Sequence, residues 1–348
     1  MRIAVAMSGG VDSSVAAALL QAQGHEVVGI TLQQWPTSDT EESARHGGCC
    51  SLSAVEDARR VASLLDIPYY CWNLANEFGE RVIEPFHRDY LEGRTPNPCM
   101  RCNAFVRFDL MLRRVQELGF DKLATGHYAR VVEGASGPEL HAAVDDAKDQ
   151  SYMLYHLDRD RLASIVFPLG GMTKPEVREH AREFALPVAD KAESQEICFV
   201  PRGETASYLA KRLPVREGAV VDSGGREVGT HRGTALYTVG QRNGFGDLRE
   251  AGPWYVIAID APANKLVVGR REELATTEVR IRDVQFIDGE EPKRVECQAR
   301  LRYHAPAIEA VYEASKLSLA QPFYGAASGQ AAVMYSGTRV LGGGTIER

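Results

Sequence analysis

The stretch that most constrains this chain is its beginning. Ile3-Ala4-Val5-Ala6-Met7 is a short apolar run, too short for a helix and suited to a buried strand. Ser8-Gly9-Gly10-Val11-Asp12-Ser13-Ser14 follows, and then Val15-Ala16-Ala17-Ala18-Leu19-Leu20, a run with high helix propensity. A strand that passes through two glycines into a helix aims backbone N–H groups and the positive end of a helix dipole at one point, which suits an anion. Gly9 and Gly10 let a phosphate approach the backbone, and Ser13 and Ser14 offer hydroxyls. The plain alternative is a tight turn capped by Asp12 or Ser13. No lysine follows the glycines, so this is not a lysine-ended Walker loop.

Strand and helix patterns alternate after the loop. Strands are expected over residues 26–32, 68–74 and 122–128, and helices over 53–66, 78–91, 103–118 and 173–184. Ser53 and Glu56 have the spacing of a capping box, and Pro85 is a blemish in its helix. Such alternation implies a doubly wound parallel sheet, whose ligands lie beyond the carboxyl ends of its strands. Gly126 and His127 end the last of those strands, so they belong with the glycine loop. Beyond residue 202 the texture changes to glycine-rich, strand-like pieces. Residues 295–303 alternate with period two, placing Val295, Cys297, Ala299, Leu301 and Tyr303 on one face and Arg300 and Arg302 on the other. The expected division is an α/β domain over 1–202, a small central domain over 203–275 and an antiparallel β-barrel over 276–348. A chain of 348 residues is long enough for several cores.

A net charge of −7 argues against coating nucleic acid by bulk charge, but leaves room for a local basic groove. No apolar run approaches a membrane span and no signal peptide opens the chain, so a cytoplasmic protein with no membrane partner is expected. Seven cysteines in such a chain point to metal or redox chemistry rather than a disulfide framework.

The second informative stretch is Gly93-Arg94-Thr95-Pro96-Asn97-Pro98-Cys99-Met100-Arg101-Cys102-Asn103. With Asn103 capping the following helix, Cys102 would stand just before a helix N-terminus, where the dipole favours thiolate. Cys99 and Cys102 also have the spacing of half a zinc site, which Cys49, Cys50 or Cys198 plus a histidine would complete.

SGGVDS resembles the pyrophosphate loop of the ATP pyrophosphatases, which cut ATP between its α and β phosphates. SGGVDSS, GRTPNPCMRCN, ATGHY, KDQSY, EICF, YTVGQR and LGGGTIE, in that order across nearly the whole chain, resemble the tRNA-specific 2-thiouridine synthases. That resemblance implies ATP-dependent activation of the C2 carbonyl of the wobble uridine, position 34, and replacement of its oxygen by sulfur. It implies that Ala6, Met7, Ser8, Gly9, Gly10, Val11, Asp12, Ser13, Leu32 and Gly126 hold ATP, with Mg²⁺ on the phosphates. Asn97, Pro98 and Cys99 would meet the base. His127, Lys148, Asp149, Gln150, Arg302, Tyr303 and Gln330 would contact the anticodon stem-loop of a tRNA. No DNA partner is implied. Cys102 would be the nucleophile and Cys198 the persulfide carrier.

One departure stands out: many members have aspartate where this chain has Cys99. Two arrangements therefore stay open. In a persulfide relay, fed by a carrier protein, Cys102 and Cys198 suffice. In the other, Cys99, Cys102 and Cys198 ligate a [4Fe–4S] cluster whose fourth iron takes sulfide. The third thiol has no use in the relay and favours the cluster. Two competing functions remain: an amidotransferase-type adenylating enzyme, which would not need the cysteines, and a non-catalytic RNA-binding protein with a structural metal, which would not consume ATP.

Overall fold

Every strand of the first sheet runs the same way. The computed structural model describes residues 1–34, 52–192, 197–201, 203–245, 248 and 252–347. Strands β1 (Arg2–Ala6), β2 (Glu26–Gln33), β3 (Tyr69–Asn73), β4 (Lys122–Thr125) and β7 (Ile165–Val166) lie in the order β3-β2-β1-β4-β7, each pair parallel. Along β1 the side chains alternate between two cores. Ile3 and Val5 pack with Val15, Val61 and Val177. Ala4 packs with Val28, Val106 and Phe108 on the other face. The strand order reverses at β1, with β2 on one side and β4 on the other, so the crevice beyond the ends of β1 and β4 is the expected place for a ligand.

Helices α1 (Val11–Ala22), α2 (Leu52–Leu64), α3 (75–91), α4 (98–117), α5 (Arg159–Leu162) and α6 (Lys174–Glu183) flank the sheet. Three of them depart from the sequence expectation. α2 begins at Leu52, so Ser53 lies inside its first turn instead of capping it. In α3 a wider turn over Gly79–Ile83 precedes Pro85, which then sits at the start of the segment Glu84–Leu91, where proline costs little. α4 begins at Pro98 rather than after Asn103. The cap is Asn97, whose side-chain oxygen accepts from Cys99 N at 3.1 Å and Met100 N at 3.3 Å. Asn followed by Pro is itself a start signal, because proline at the first helical position gives up an N–H that has no helical partner. Cys102 therefore lies on the second turn of α4, and Cys99 occupies the turn nearest the dipole. β4 also stops at Thr125, which leaves His127 and Tyr128 in the turn that follows.

The middle of the chain adds α7 (Thr205–Arg212) and a four-stranded sheet in the order β10-β11-β8-β9: β8 (Gly218–Asp222), β9 (Glu227–His231), β10 (Tyr255–Asp260) and β11 (Lys265–Gly269). Val220, Trp254, Val256 and Leu266 form its core. The last part is an antiparallel barrel: β12 (Ala275–Phe286), β13 (Arg294–Arg300), β14 (Ile308–Glu313), β15 (Lys316–Tyr324), β16 (Ala331–Ser336) and β17 (Arg339–Glu347) run β12-β15-β14-β13-β16-β17, and β17 closes on β12. The period-two pattern is real, since Cys297, Ala299 and Leu301 are all buried. The strand ends at Arg300, however, so Arg302 and Tyr303 lie in the next turn rather than on its two faces.

One hairpin crosses the expected domain line. β5 (Ala129–Gly134) and β6 (Gly137–Ala142) lie within the first 202 residues yet extend the barrel's sheet beside β17. Ala142 N donates to Thr338 O at 2.7 Å, and Arg339 Nε lies 3.3 Å from Glu139 Oε1. Among the described residues no helix is long and apolar enough to cross a membrane.

Candidate active site

The crevice at the ends of β1 and β4 opens into a cavity of about 1000 Å³. That is the upper end of ordinary ligand pockets, enough for a nucleotide and more. The glycine loop forms one end. Gly9 has φ +67°, and a Cβ there would stand 2.1 Å from Ala54 O on α2, so only glycine fits. Gly10 is the N-cap of α1 with ordinary backbone angles, and no side chain caps the helix. The plain capped-turn alternative is therefore not what forms. The serine hydroxyls hold the loop itself: Ser14 Oγ donates to Gly10 O at 2.9 Å, and Ser8 N donates to Ser13 Oγ at 3.1 Å. Gly126, at the end of β4, presses on the same helix start, where a Cβ would come within 2.7 Å of Ser13 N.

Ala6, Ser8, Gly10, Val11, Asp12, Ser13 and Gly126 line the cavity. Met7 and Leu32 do not: their side chains are buried in the cores on opposite faces of the sheet, and Gly9 packs against α2. Two lysines that sequence reasoning missed also reach this end. Lys174, at the start of α6, places Nζ 2.6 Å from Asp12 Oδ1, which also accepts from Tyr128 Oη at 2.8 Å. Lys191 Nζ donates to Gly9 O at 2.9 Å and to Asp57 Oδ2 at 2.6 Å. Nothing local marks them, because the loop motif ends more than 150 residues earlier in the chain. Asp12 thus anchors Lys174 and Tyr128.

Cys99, Cys102 and Cys198 line the other part of the cavity. Cys102 is 8% exposed and accepts a long hydrogen bond from Gln34 Nε2, 3.6 Å away, whereas Cys99 is exposed. Cys198 is held from the next residue: Phe199 packs edge-on to Phe86 and Phe78, with ring centroids 5.0 and 6.0 Å away. Cys198 is thus a wall residue of the cavity, not an inert core thiol. Among the described residues no group of three His, Cys, Asp or Glu side chains is placed to hold a metal ion. As folded, Cys99, Cys102 and Cys198 are not gathered as a three-thiolate cluster site requires. Cys49 and Cys50, and Ser194 to Glu196 of the motif before Cys198, lie outside the described residues.

Of the residues implied for tRNA, Asn97, Pro98, Cys99, His127, Lys148, Gln150, Tyr303 and Gln330 line the cavity. His127 is held neutral: burial, then the Arg107 guanidinium, push it well below the usual histidine range. Its Nδ1 lies 2.7 Å from Thr125 Oγ1. Asp149 and Arg302 fall elsewhere. Asp149 is 3% exposed and binds inward to Ser151 Oγ and to Arg300 Nη1, each at 2.9 Å, and Arg300 also stacks over Tyr335 of β16. A buried, paired carboxylate presents nothing to RNA, so Asp149 rivets its loop to the barrel. Arg302 is exposed outside the cavity. The barrel holds the base-side loop as well: Gln330 Nε2 donates to Thr95 O and Thr95 N donates to Ser328 O, both at 2.7 Å.

Comparison with known proteins agrees with this layout. Three family models match in succession: the tRNA methyl transferase HUP domain over residues 1–202, the tRNA methyl transferase PRC-barrel domain over 206–270, and the aminomethyltransferase beta-barrel domain over 276–346. The tRNA-specific 2-thiouridylase MnmA of Chloroflexus aggregans is 47% identical over 99% of this chain and 98% of its own length. The MnmA of Moorella thermoacetica is also 47% identical over the same shares. This chain belongs to the tRNA-specific 2-thiouridylase family. Among solved structures, a 4-thiouridine synthetase–RNA complex with bound ATP aligns at 16% identity and a TM-score of 0.34, covering 61% of this chain and 50% of that one.

Proposed function

We propose that the chain uses ATP to adenylate the C2 oxygen of uridine 34 in tRNA and then replaces that oxygen with sulfur. The observation that carries this reading is one cavity with a phosphate loop at one end and three cysteines at the other. ATP phosphates seated on residues 8–13 meet an uncapped helix start. Mg²⁺ arrives with the nucleotide as part of the substrate. Asp12 and Asp57 are each already paired with a lysine. Uridine 34 leaves its stack to enter, at a cost of roughly a few kcal/mol. Asn97, Pro98 and Cys99 then face the base. His127, Lys148, Gln150, Tyr303 and Gln330 orient the surrounding nucleotides, while Arg302 meets a phosphate outside.

The sulfur step needs only two thiols. Cys198 receives a persulfide from a carrier protein, and its terminal sulfur bonds to C2 of the adenylated uridine. Cys102 thiolate then attacks Cys198 Sγ. The S–S bond breaks, its electron pair forms the C2 thiocarbonyl, and AMP leaves with the C2–O pair. A Cys102–Cys198 disulfide remains for a two-electron thiol reductant to reopen. Cys99 is a contact to the base in this scheme, and no step runs through a cluster.

The test is mass spectrometry of nucleosides from tRNA incubated with the protein, MgATP and a persulfide donor. 2-Thiouridine is expected at position 34, with AMP and pyrophosphate formed in equal amount. AMP formation with sulfur at another base atom, or with none, would overturn the reading.

A further inference from the structure

The loop motif supplies no cation of its own, yet a triphosphate brings several negative charges. The fold brings two ammonium groups to the loop from a different part of the chain, and they are not equivalent. Lys191 is fixed on structure: its Nζ holds Gly9 O and Asp57, and its side chain is 37% exposed. Lys174 is buried, with a side chain 9% exposed, and its Nζ sits on the wall of the cavity against Asp12 Oδ1. A buried ammonium is costly unless a carboxylate faces it, and here the carboxylate belongs to the phosphate loop itself. Asp12 Oδ1 is shared with Tyr128 Oη, so it keeps a donor when the ammonium turns away.

We propose that Lys174 is a catalytic residue of the adenylation step, with Asp12 as its resting partner and the departing pyrophosphate as its working partner. The proposal rests on the ATP-dependent reading above. As uridine O2 bonds to the α-phosphorus, the bond from that phosphorus to the bridging oxygen breaks and its electron pair stays on pyrophosphate. The ammonium of Lys174 meets the charge that develops there, and it keeps its proton throughout. A cation already desolvated and held in place is worth more to that charge than one recruited from water. Lys191 is a positioning residue, because its hydrogen bond to Gly9 O sets the loop.

The experiment uses the full chain and reads two product-inhibition constants. Lys174→Met is expected to lower kcat for AMP formation about 100-fold, the scale seen when one transition-state donor is removed. It should weaken inhibition by inorganic pyrophosphate at least tenfold and leave inhibition by AMP unchanged. Lys174→Arg should recover part of both losses. Should Lys174→Met not fold, the double variant Asp12→Asn/Lys174→Met removes both charges together, which leaves no buried charge unpaired. It should bind AMP and stay insensitive to pyrophosphate. Pyrophosphate inhibition unchanged in either variant, or pyrophosphate and AMP inhibition lost together, overturns the proposal. Wild-type protein that makes AMP but no thionucleoside would instead overturn the reading on which it rests.

Discussion

The two ends of the cavity are built in opposite ways. The phosphate end is mostly local: seven consecutive residues, one strand and one helix start make it, joined from afar by two lysines, Ala54, Gly126 and Tyr128. The thiol end is assembled. Cys102 comes from α4, Cys198 from beyond residue 190, Gln34 from the end of β2, and Gln330 and Tyr303 from the barrel. A local site needs its own backbone to be right. An assembled site needs several elements to be held against one another. Damage to the first should therefore stop one chemical step, and damage to the second should separate steps that normally run together.

The sharpest way to break this comparison is a pair of variants. Asp12→Ala is expected to lower AMP formation about 100-fold or more, because it leaves the buried Lys174 ammonium without the carboxylate that places it. Cys102→Ser should lose 2-thiouridine to the same extent while still making AMP. If Cys102→Ser also stops AMP formation, the two ends are not separable. Next in size is the contrast between the two loop glycines. Gly9→Ala forces a positive φ and a clash with Ala54 O, and should cost roughly 2–4 kcal/mol in urea unfolding. Gly10→Ala meets only Ser8 Oγ at 3.5 Å and should unfold like the parent. Its effect should be a raised KM for ATP, and an unchanged KM would move the phosphates off Gly10.

Smaller effects probe the assembled end. Asp149→Asn loses its charge against Arg300 and should cost about 1–3 kcal/mol of stability. Weakened tRNA binding with stability intact would make Asp149 an RNA contact after all. Next comes pH. Burial, then the Arg161 charge, push His156 down to about 3. Folded protein keeps it neutral, whereas the unfolded chain takes up a proton near pH 6.5. Stability should thus be unaffected by this group above about pH 6.5 and fall as the pH drops from there toward 3, by about 2 kcal/mol at pH 5. Unfolding curves at pH 7 and 5 for the parent and His156→Gln test it, since the variant should lack that part of the slope. The smallest effect is expected at the rim. Arg302→Ala should weaken tRNA binding by about 1 kcal/mol and lower the salt slope by about one. Arg59→Ala, exposed on α2, should do neither. Equal effects from both would mean diffuse attraction rather than a barrel contact.

What could be read from the chain follows the same division. The loop was legible because strand, glycines and helix are contiguous, and the barrel because Cys297, Ala299 and Leu301 alternate cleanly. The start of α4 was misplaced by five residues because Pro96 and Pro98 look like breakers, although Asn97-Pro98 is a cap followed by a favoured first residue. Lys174 shows only as part of a helix start, since its partner Asp12 stands 162 positions earlier. Asp149 reads as a polar loop residue until Arg300, from a strand 151 residues later, comes to meet it. Long-range pairs of this kind leave no periodic trace in a single sequence.

The hairpin of β5 and β6 has a consequence for how the chain is made. Its sheet neighbour β17 leaves the ribosome nearly two hundred residues later, which at ordinary elongation rates is a wait of about 10–40 s. Throughout that interval the edge along Glu139 to Ala142 has no partner strand. The α/β portion of the nascent chain is then committed to its fold while one of its own hairpins still awaits the last strand. Synthesis halted anywhere short of residue 339 leaves this edge bare, so fragments of the chain should aggregate more readily than the complete one.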